Sequence, residues 1–287
     1  AGTDDSDDDD EHATATVSGN LTGTTIALID AADDGTSTLN LDSLTAAQTI
    51  SAAITASEDG LGNVTVSNTG GTVTFSETIG SHSTNLSVGT VSLAASSTTV
   101  FNKAVDSAAI TATTTASSTF NAAVTNSGAI TTGVGSTTVF DSTVSSATLS
   151  NSGAMTLKGA VTLSGTMTTV SGSTITLGSA FKAGSAAAIT AASTSVGTLD
   201  QTVNAVTVNV NNQFTTGTVV LFKNTAAALD SDDLASFNVT DTAIVDYTAA
   251  LSSTAKAIEI TANKRTTAGI ATYLGMSTAQ SAALGQI

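Results

Sequence analysis

The chain has 287 residues and is 40 % hydrophobic, but only 10 % charged and 3 % aromatic; 23 Asp+Glu against 7 Lys+Arg give a net charge of −16, and Pro, Cys and Trp are absent. Without a thiol there is no disulfide and no thiolate metal site, and the acidic balance excludes a basic nucleic-acid face. The hydrophobic fraction with so little charge is the reverse of a disordered composition.

The chain starts Ala1-Gly2-Thr3, the kind of small residue that signal-peptidase cleavage leaves, so a mature secreted protein is expected. No apolar run reaches the roughly 18 residues that a spanning helix needs. Asp4, Asp5, Asp7, Asp8, Asp9, Asp10 and Glu11 then form an acidic leader over residues 1–12, and no Lys or Arg occurs before Lys103. Such a run repels itself. Three readings follow: a solvated tail, a calcium site built from hard carboxylate oxygens (Asp7, Asp8, Asp9 and Asp10), or a contact with a neighbouring copy, for instance with its Lys264 and Arg265. Asp30, Asp33 and Asp34 make a second acidic turn and Asp230, Asp232 and Asp233 a third. Each could hold calcium by its carboxylate spacing, though a solvated turn is the plainer reading of both.

Residues 13–59 read as an N-terminal strand and capping region. Val17, Leu21, Ile26 and Leu28 alternate with Thr and Ser in a strand pattern. Between Ser43 and Ile54, Leu44, Ala47 and Ile54 fall on one face at helical spacing, which predicts a short helix. From 60 to about 250 the period is two: Val64-Thr65-Val66, Thr72-Val73-Thr74-Phe75, Thr174-Ile175-Thr176-Leu177 and Val206-Thr207-Val208-Asn209-Val210.

An internal repeat organises this region. Phe101-Asn102-Lys103-Ala104-Val105, Phe120-Asn121-Ala122-Ala123-Val124, Phe140-Asp141-Ser142-Thr143-Val144 and Leu157-Lys158-Gly159-Ala160-Val161 start 19, 20 and 17 residues apart. Phe75 with Ile79 is an earlier copy, and Phe181 begins a degenerate later one. Asn126-Ser127-Gly128 and Asn151-Ser152-Gly153 recur in phase, with Asn68-Thr69-Gly70-Gly71 before them. Repeats of about 20 residues with strand chemistry predict an all-β, right-handed parallel β-solenoid, or β-helix, with coils of about 20 residues. The large residue of each coil stacks inside on its neighbour's, and Asn and Gly take left-handed corners. Proline would remove a ladder donor, so its absence fits continuous pairing. Residues 251–287 form a C-terminal cap with short helices, where Ser277 and Gln280 have capping-box spacing.

The stretch GLGNVTVSNTGGTVTFSETIG (60–80), followed by LSVGTVSL (86–93), the FNKAV and FNAAV units, and the tail ATYLGMSTAQSAALG (271–285) resemble the passenger of rickettsial-type outer-membrane autotransporters. The resemblance implies a β-solenoid on the bacterial cell surface, followed by a short helical segment; a passenger without that family's translocating barrel is expected.

No catalytic constellation stands out, and an enzyme is not expected. Only Tyr247 and Tyr273 could stack on a sugar, the basic residues are scattered, and His12 and His82 lack Ser or Asp partners at a usable spacing. Gly133-Val134-Gly135 has no following Lys for phosphate. Asn20, Asn63, Asn85 and Asn238 lie in N-x-Ser/Thr sequons, which makes surface glycans conceivable partners. Thr72/Thr74, Thr111/Thr113, Thr166/Thr168 and Thr174/Thr176 raise ice binding, although their phase in the repeat is irregular. A solenoid exposes unpaired strand edges unless they are capped, and 13–29 reads as a strand and not as a cap. The expected function is therefore an extracellular structural protein that self-assembles with its own copies into a surface layer, sheath or filament. The alternative is a monomeric adhesin-type passenger.

Overall fold

The computed structural model describes residues 13–29, 36–81, 84, 86–192, 206–211 and 214–284. Two compact units divide the chain, residues 1–136 and 137–287.

The first unit contains β1 (Ala13–Val17), β2 (Leu21–Leu28), β3 (Ser37–Leu41), β4 (Gln48–Ala56), β5 (Asn63–Val66), β6 (Thr72–Phe75), β7 (Val88–Leu93), β8 (Thr98–Phe101), β9 (Val105–Ala112), β10 (Ser117–Phe120), β11 (Val124–Asn126) and β12 (Ala129–Thr132). Odd and even strands separate into two ladders, β1-β3-β5-β7-β9-β11 and β2-β4-β6-β8-β10, and β12 pairs with β9. Among the described residues, the strand pairings within this unit are parallel. The chain therefore alternates between ladders and returns one rung higher each time, as a solenoid-like fold requires. The step between facing residues changes along the chain. It is 27 residues from Asn63 to Thr90 and 19 from Asn102 to Asn121.

Period two decides the packing. In β5, β6 and β7 the inward residues Val64, Val66, Val73, Phe75, Val91 and Leu93 are buried, while the Thr, Asn and Ser between them face outward. Phe75 faces Phe101, and Phe101 faces Phe120. Their rings stack at 4.9 and 4.5 Å between centroids, tilted by only 4° and 6°. Val105 faces Val124 beside them, and Ile79 bridges Ile54 and Val105. The repeat phase expected from the phenylalanines is thus the phase of the core.

The second unit contains β13 (Thr137–Phe140), β14 (Val144–Ser146), β15 (Thr148–Asn151), β16 (Ala154–Leu157), β17 (Val161–Leu163), β18 (Met167–Thr169), β19 (Thr174–Leu177), β20 (Ile189–Ala191), β21 (Val206–Asn209), β22 (Gly217–Asn224), α1 (Ser231–Ala235), β23 (Phe237–Thr240), β24 (Val245–Leu251), β25 (Ala257–Lys264), α2 (Thr267–Tyr273) and α3 (Thr278–Leu284). Phe140, Leu157 and Leu177 face one another in the ladder β13-β16-β19, and Val144, Val161 and Ile189 in β14-β17-β20. The pattern then changes. Thr176 and Asn209 are 33 residues apart in facing positions, and β25 runs antiparallel to both β22 and β24. Ser277 Oγ accepts from the Gln280 amide and Gln280 Oε1 accepts from the Ser277 amide, which is the expected capping box of α3.

Two expectations are corrected. Residues 48–54 are strand, not helix. Gln48, Ile50, Ala52, Ile54 and Ala56 are all buried in alternation along β4, while Leu44, one of the supposed helical face, is 78 % exposed. Pairing with β2 and β6 on both sides overrides the brief helical spacing.

Of the left-handed corners expected at Asn and Gly, glycine takes several among the described residues, including Gly62, Gly80, Gly135 and Gly172, and asparagine takes none. Gly128 of the Asn-Ser-Gly unit does not have a positive φ; a Cβ there would sit 2.4 Å from the Ala108 carbonyl oxygen, so glycine is needed for close approach of successive coils. A recurring left-handed residue is the third of a four-residue turn that precedes a strand: Ser96 (φ 63°), Thr115 (φ 63°), Gly135 (φ 73°) and Gly172 (φ 88°). Each turn closes by the same bond, from the Ser97, Ala116, Ser136 or Ser173 amide to the carbonyl of Ala94, Thr113, Gly133 or Val170. Gly133-Val134-Gly135 is one of these turns. Ser96 carries the left-handed strain without glycine, so Ser96→Gly should stabilise the fold by about 0.5–1 kcal/mol, read as a higher urea midpoint at unchanged slope.

Candidate assembly surface

The metal-ligand candidates Asp7, Asp8, Asp9, Asp10, Asp30, Asp33 and Asp34 lie outside the described residues, as do His12, His82 and the sequon Asn85. Among the described residues no group of three or more His, Asp or Glu is arranged to hold a metal.

The third acidic turn has a different use. Asp230 caps α1: its carboxylate accepts from the amides of Asp232 and Asp233, and the Asp233 carboxylate accepts from the Asp230 amide. This is a capping box made from two aspartates. Asp233 is 5 % exposed, and burial, opposed by the bond from the Asp230 amide, raises its pKa above the ordinary 3.8. A folded-state pKa above the unfolded value means that the fold binds this proton more tightly, so the group costs stability as pH rises through that window. Asp233→Asn keeps an acceptor for the Asp230 amide without the charge. Its melting temperature should equal or exceed the parent's at pH 7, with the difference vanishing as pH falls toward 3.8.

Two of the sequons are engaged in the ladder. Asn20 Oδ1 accepts from the Thr49 amide and Asn63 Oδ1 from the Thr90 amide, at 2.8 and 2.9 Å; Asn238 is exposed on β23. Outward positions form uncharged rows: Asn40, Thr65, Ser92, Thr111 and Thr131 face one another in register on one side of the first unit. Thr72 and Thr98, then Thr74 and Val100, do so on the other. Like charges in such a column would repel at the inter-strand spacing.

The C-terminal strands are closed off by their own loops. The Tyr247 amide donates to Asp241 Oδ1, the Val245 amide to Thr242 Oγ1, and the Thr242 amide to the Val245 carbonyl. Tyr247 packs on Phe214 and its hydroxyl donates to the Phe214 carbonyl at 2.8 Å. Arg265, expected as a contact for another copy's leader, is spent within its own unit. It binds Asp241 at 2.6 Å, lies 3.6 Å from Asp246 and stacks 4.8 Å from the Tyr273 ring. Lys264 beside it is exposed.

The N-terminal end differs. β1 pairs only with β3, and β2 only with β4, among the described residues. Residues 13–16 are all exposed. Ala13, Ala15, Ile26, Leu28, Ile29 and Leu39 line an open apolar groove of about 300 Å³ between the two strands, with Ile29 62 % exposed. The edge is nonetheless held in place. The buried amide of Gln48 donates to the Val17 and Gly19 carbonyls at 2.8 and 3.0 Å, and Asn20 holds the Thr49 amide.

Compared with known proteins, the chain matches no family model, and no curated protein or solved structure is significantly similar to it.

Proposed function

We propose that the chain is an extracellular structural protein of the bacterial surface that assembles with copies of itself into a layer, sheath or filament. In this reading its parallel ladders wind as a right-handed β-solenoid with coils of about 20 residues through the middle of the chain, and it performs no catalysis. The observation that carries the reading is the N-terminal edge: a regular strand whose outer side pairs with no other described strand, beside an open apolar groove, a template for strand addition. The uncharged outward rows support it, since neutral columns let copies approach side by side without burying charge. Calcium has a place in the reading as the ion that neutralises Asp7–Asp10, Asp30, Asp33 and Asp34 where copies meet.

Electron microscopy of the purified chain, with calcium and with chelator, tests the proposal. Ordered sheets or filaments are the expected result, sparser in chelator. Single particles of monomer size under both conditions would contradict it and favour the adhesin-type passenger.

A further inference from the structure

The proposed self-assembly leaves open which surfaces meet first, and the inference here rests on that reading. We infer that the first contact is two-fold: β1 of one copy pairs antiparallel with β1 of a second copy, centred on Ala15.

Three observations carry it. First, the two N-terminal edges are not equivalent. β2 has a register shift between Thr22 and Thr25, a bulge that spoils an edge for pairing. β1 matches β3 residue for residue from Ala13 to Val17. The Ala13 amide donates to Thr36 and the Val17 carbonyl accepts from Asp42. Odd residues therefore face β3, and alternation turns the N–H and C=O of Thr14 and Thr16 to the free side.

Second, this edge is complementary to itself. A two-fold contact needs a surface that matches its own copy. Ala-Thr-Ala-Thr-Val, reversed about Ala15, sets Thr14 opposite Thr16 and Ala13 opposite Val17. Each Thr14–Thr16 pair then exchanges both backbone hydrogen bonds. Ala13, Ala15 and Val17 stay on the core side, so the two grooves meet apolar to apolar. Neither β1 nor the described lining of the groove carries a charge.

Third, the C-terminal unit offers a poorer partner. The first amides of its edge strand β24 are already taken by Asp241 and Thr242.

Charge sets the condition. Residues 1–102 carry 14 acids and no Lys or Arg, so two such ends repel. Raising salt from about 0.01 M to about 1 M shortens the Debye length from about 30 Å to about 3 Å, and pairing should strengthen with it.

The chain has no cysteine, so Ala15→Cys introduces a single thiol at the two-fold centre. Facing Cα atoms in a non-hydrogen-bonded antiparallel pair lie about 4.5 Å apart, within disulfide range. Under mild oxidation the full chain with Ala15→Cys should form a disulfide-linked dimer, faster at high salt, while Thr248→Cys on β24 stays largely monomeric. Thr16→Pro removes an outward donor from each copy without touching the β3 ladder. In sedimentation it should weaken the dimer about thirty-fold, with the melting transition retained.

Cross-linking of Ala15→Cys no faster than of Thr248→Cys would overturn the inference. If ordered assemblies still form in that case, the structural reading stands and only this contact falls. Cross-linked dimers that never grow further would leave the contact standing and remove the layer.

Discussion

Replacing Phe101 by alanine should cost the fold about 3–5 kcal/mol, the largest loss expected from any single core change here. Phe101 is 1 % exposed and is the middle ring of three, with Phe75 at 4.9 Å and Phe120 at 4.5 Å. Alanine removes the ring's burial, leaves a cavity between two rigid neighbours, and ends two stacking contacts worth about 0.5–1.5 kcal/mol each. Strands pinned on both sides by parallel ladders relax little, which places the loss toward the upper part of the range. Phe101→Leu should lose less than half as much, because Leu157 and Leu177 fill the corresponding place opposite Phe140 in the second unit. Urea unfolding at constant slope measures both. A cost under about 1 kcal/mol for the alanine variant would mean that the coils are not stacked in this register.

The second large effect is polar. Asn68 is fully buried, yet all its hydrogen-bonding capacity is used. Its amide nitrogen donates to the Ala46 carbonyl at 3.0 Å and to Gln48 Oε1 at 2.8 Å, and its oxygen accepts from the Gly70 and Gly71 amides at 2.9 and 3.1 Å. Gln48 in turn holds the Val17 and Gly19 carbonyls. The two side chains thus form a bracket inside one corner, tying the exit of β1 to the coils that follow. Asn68→Ala strips partners from several buried groups at about 1–3 kcal/mol each; Gly70 keeps its bond to Ser43. A total near 4 kcal/mol is expected, with loss of order at β1. Asn68→Asp keeps the accepted bonds but buries a carboxylate. Burial raises that carboxyl's pKa, so the variant should destabilise further as pH rises above the usual carboxylate range.

Much of the fold was legible because a parallel stack repeats its chemistry. The spacing of Phe101, Phe120 and Phe140, each followed four positions later by Val, marked both the strands and the residues that face one another. The N-terminal coils were harder to read. Asn20 and Thr49 are 29 residues apart across neighbouring strands, and no repeat copy falls there to fix the phase. Ser43 to Ile54 therefore showed helical spacing when considered alone, and only its two strand neighbours make it β4. The Asn-Ser-Gly units were visible as a repeat, but their role was not. Asn126 is buried and donates to Ser107 Oγ, a property of the stack that spacing does not encode. Left-handed corners at glycine, such as Gly135 and Gly172, agree with the expectation, whereas those at Ser96 and Thr115 were not legible, because no glycine announces the turn there. The charge pattern at Asp230, Asp232 and Asp233 likewise suggested only a calcium loop or a solvated turn; that Asp230 caps the five-residue helix α1 was not legible, because so short a helix leaves no periodicity. Of the candidate assembly surface, the strand pattern at 13–29 was legible. The bulge in β2 and the open groove were not, because both depend on how residues far apart in the chain pair.

Amide hydrogen exchange along β1 tests the central claim, that an open edge at the N-terminus is closed by a second copy. In dilute protein at low salt, the Thr14 and Thr16 amides should exchange quickly while those of Ala15 and Val17, which face β3, exchange slowly. At high protein concentration and high salt, Thr14 and Thr16 should become protected and the Ala15 and Val17 rates should change little. Slow exchange at Thr14 and Thr16 already in the dilute monomer would show that the chain covers this edge itself. Fast exchange at both in fully associated protein would show that copies meet elsewhere, and either result would contradict the account.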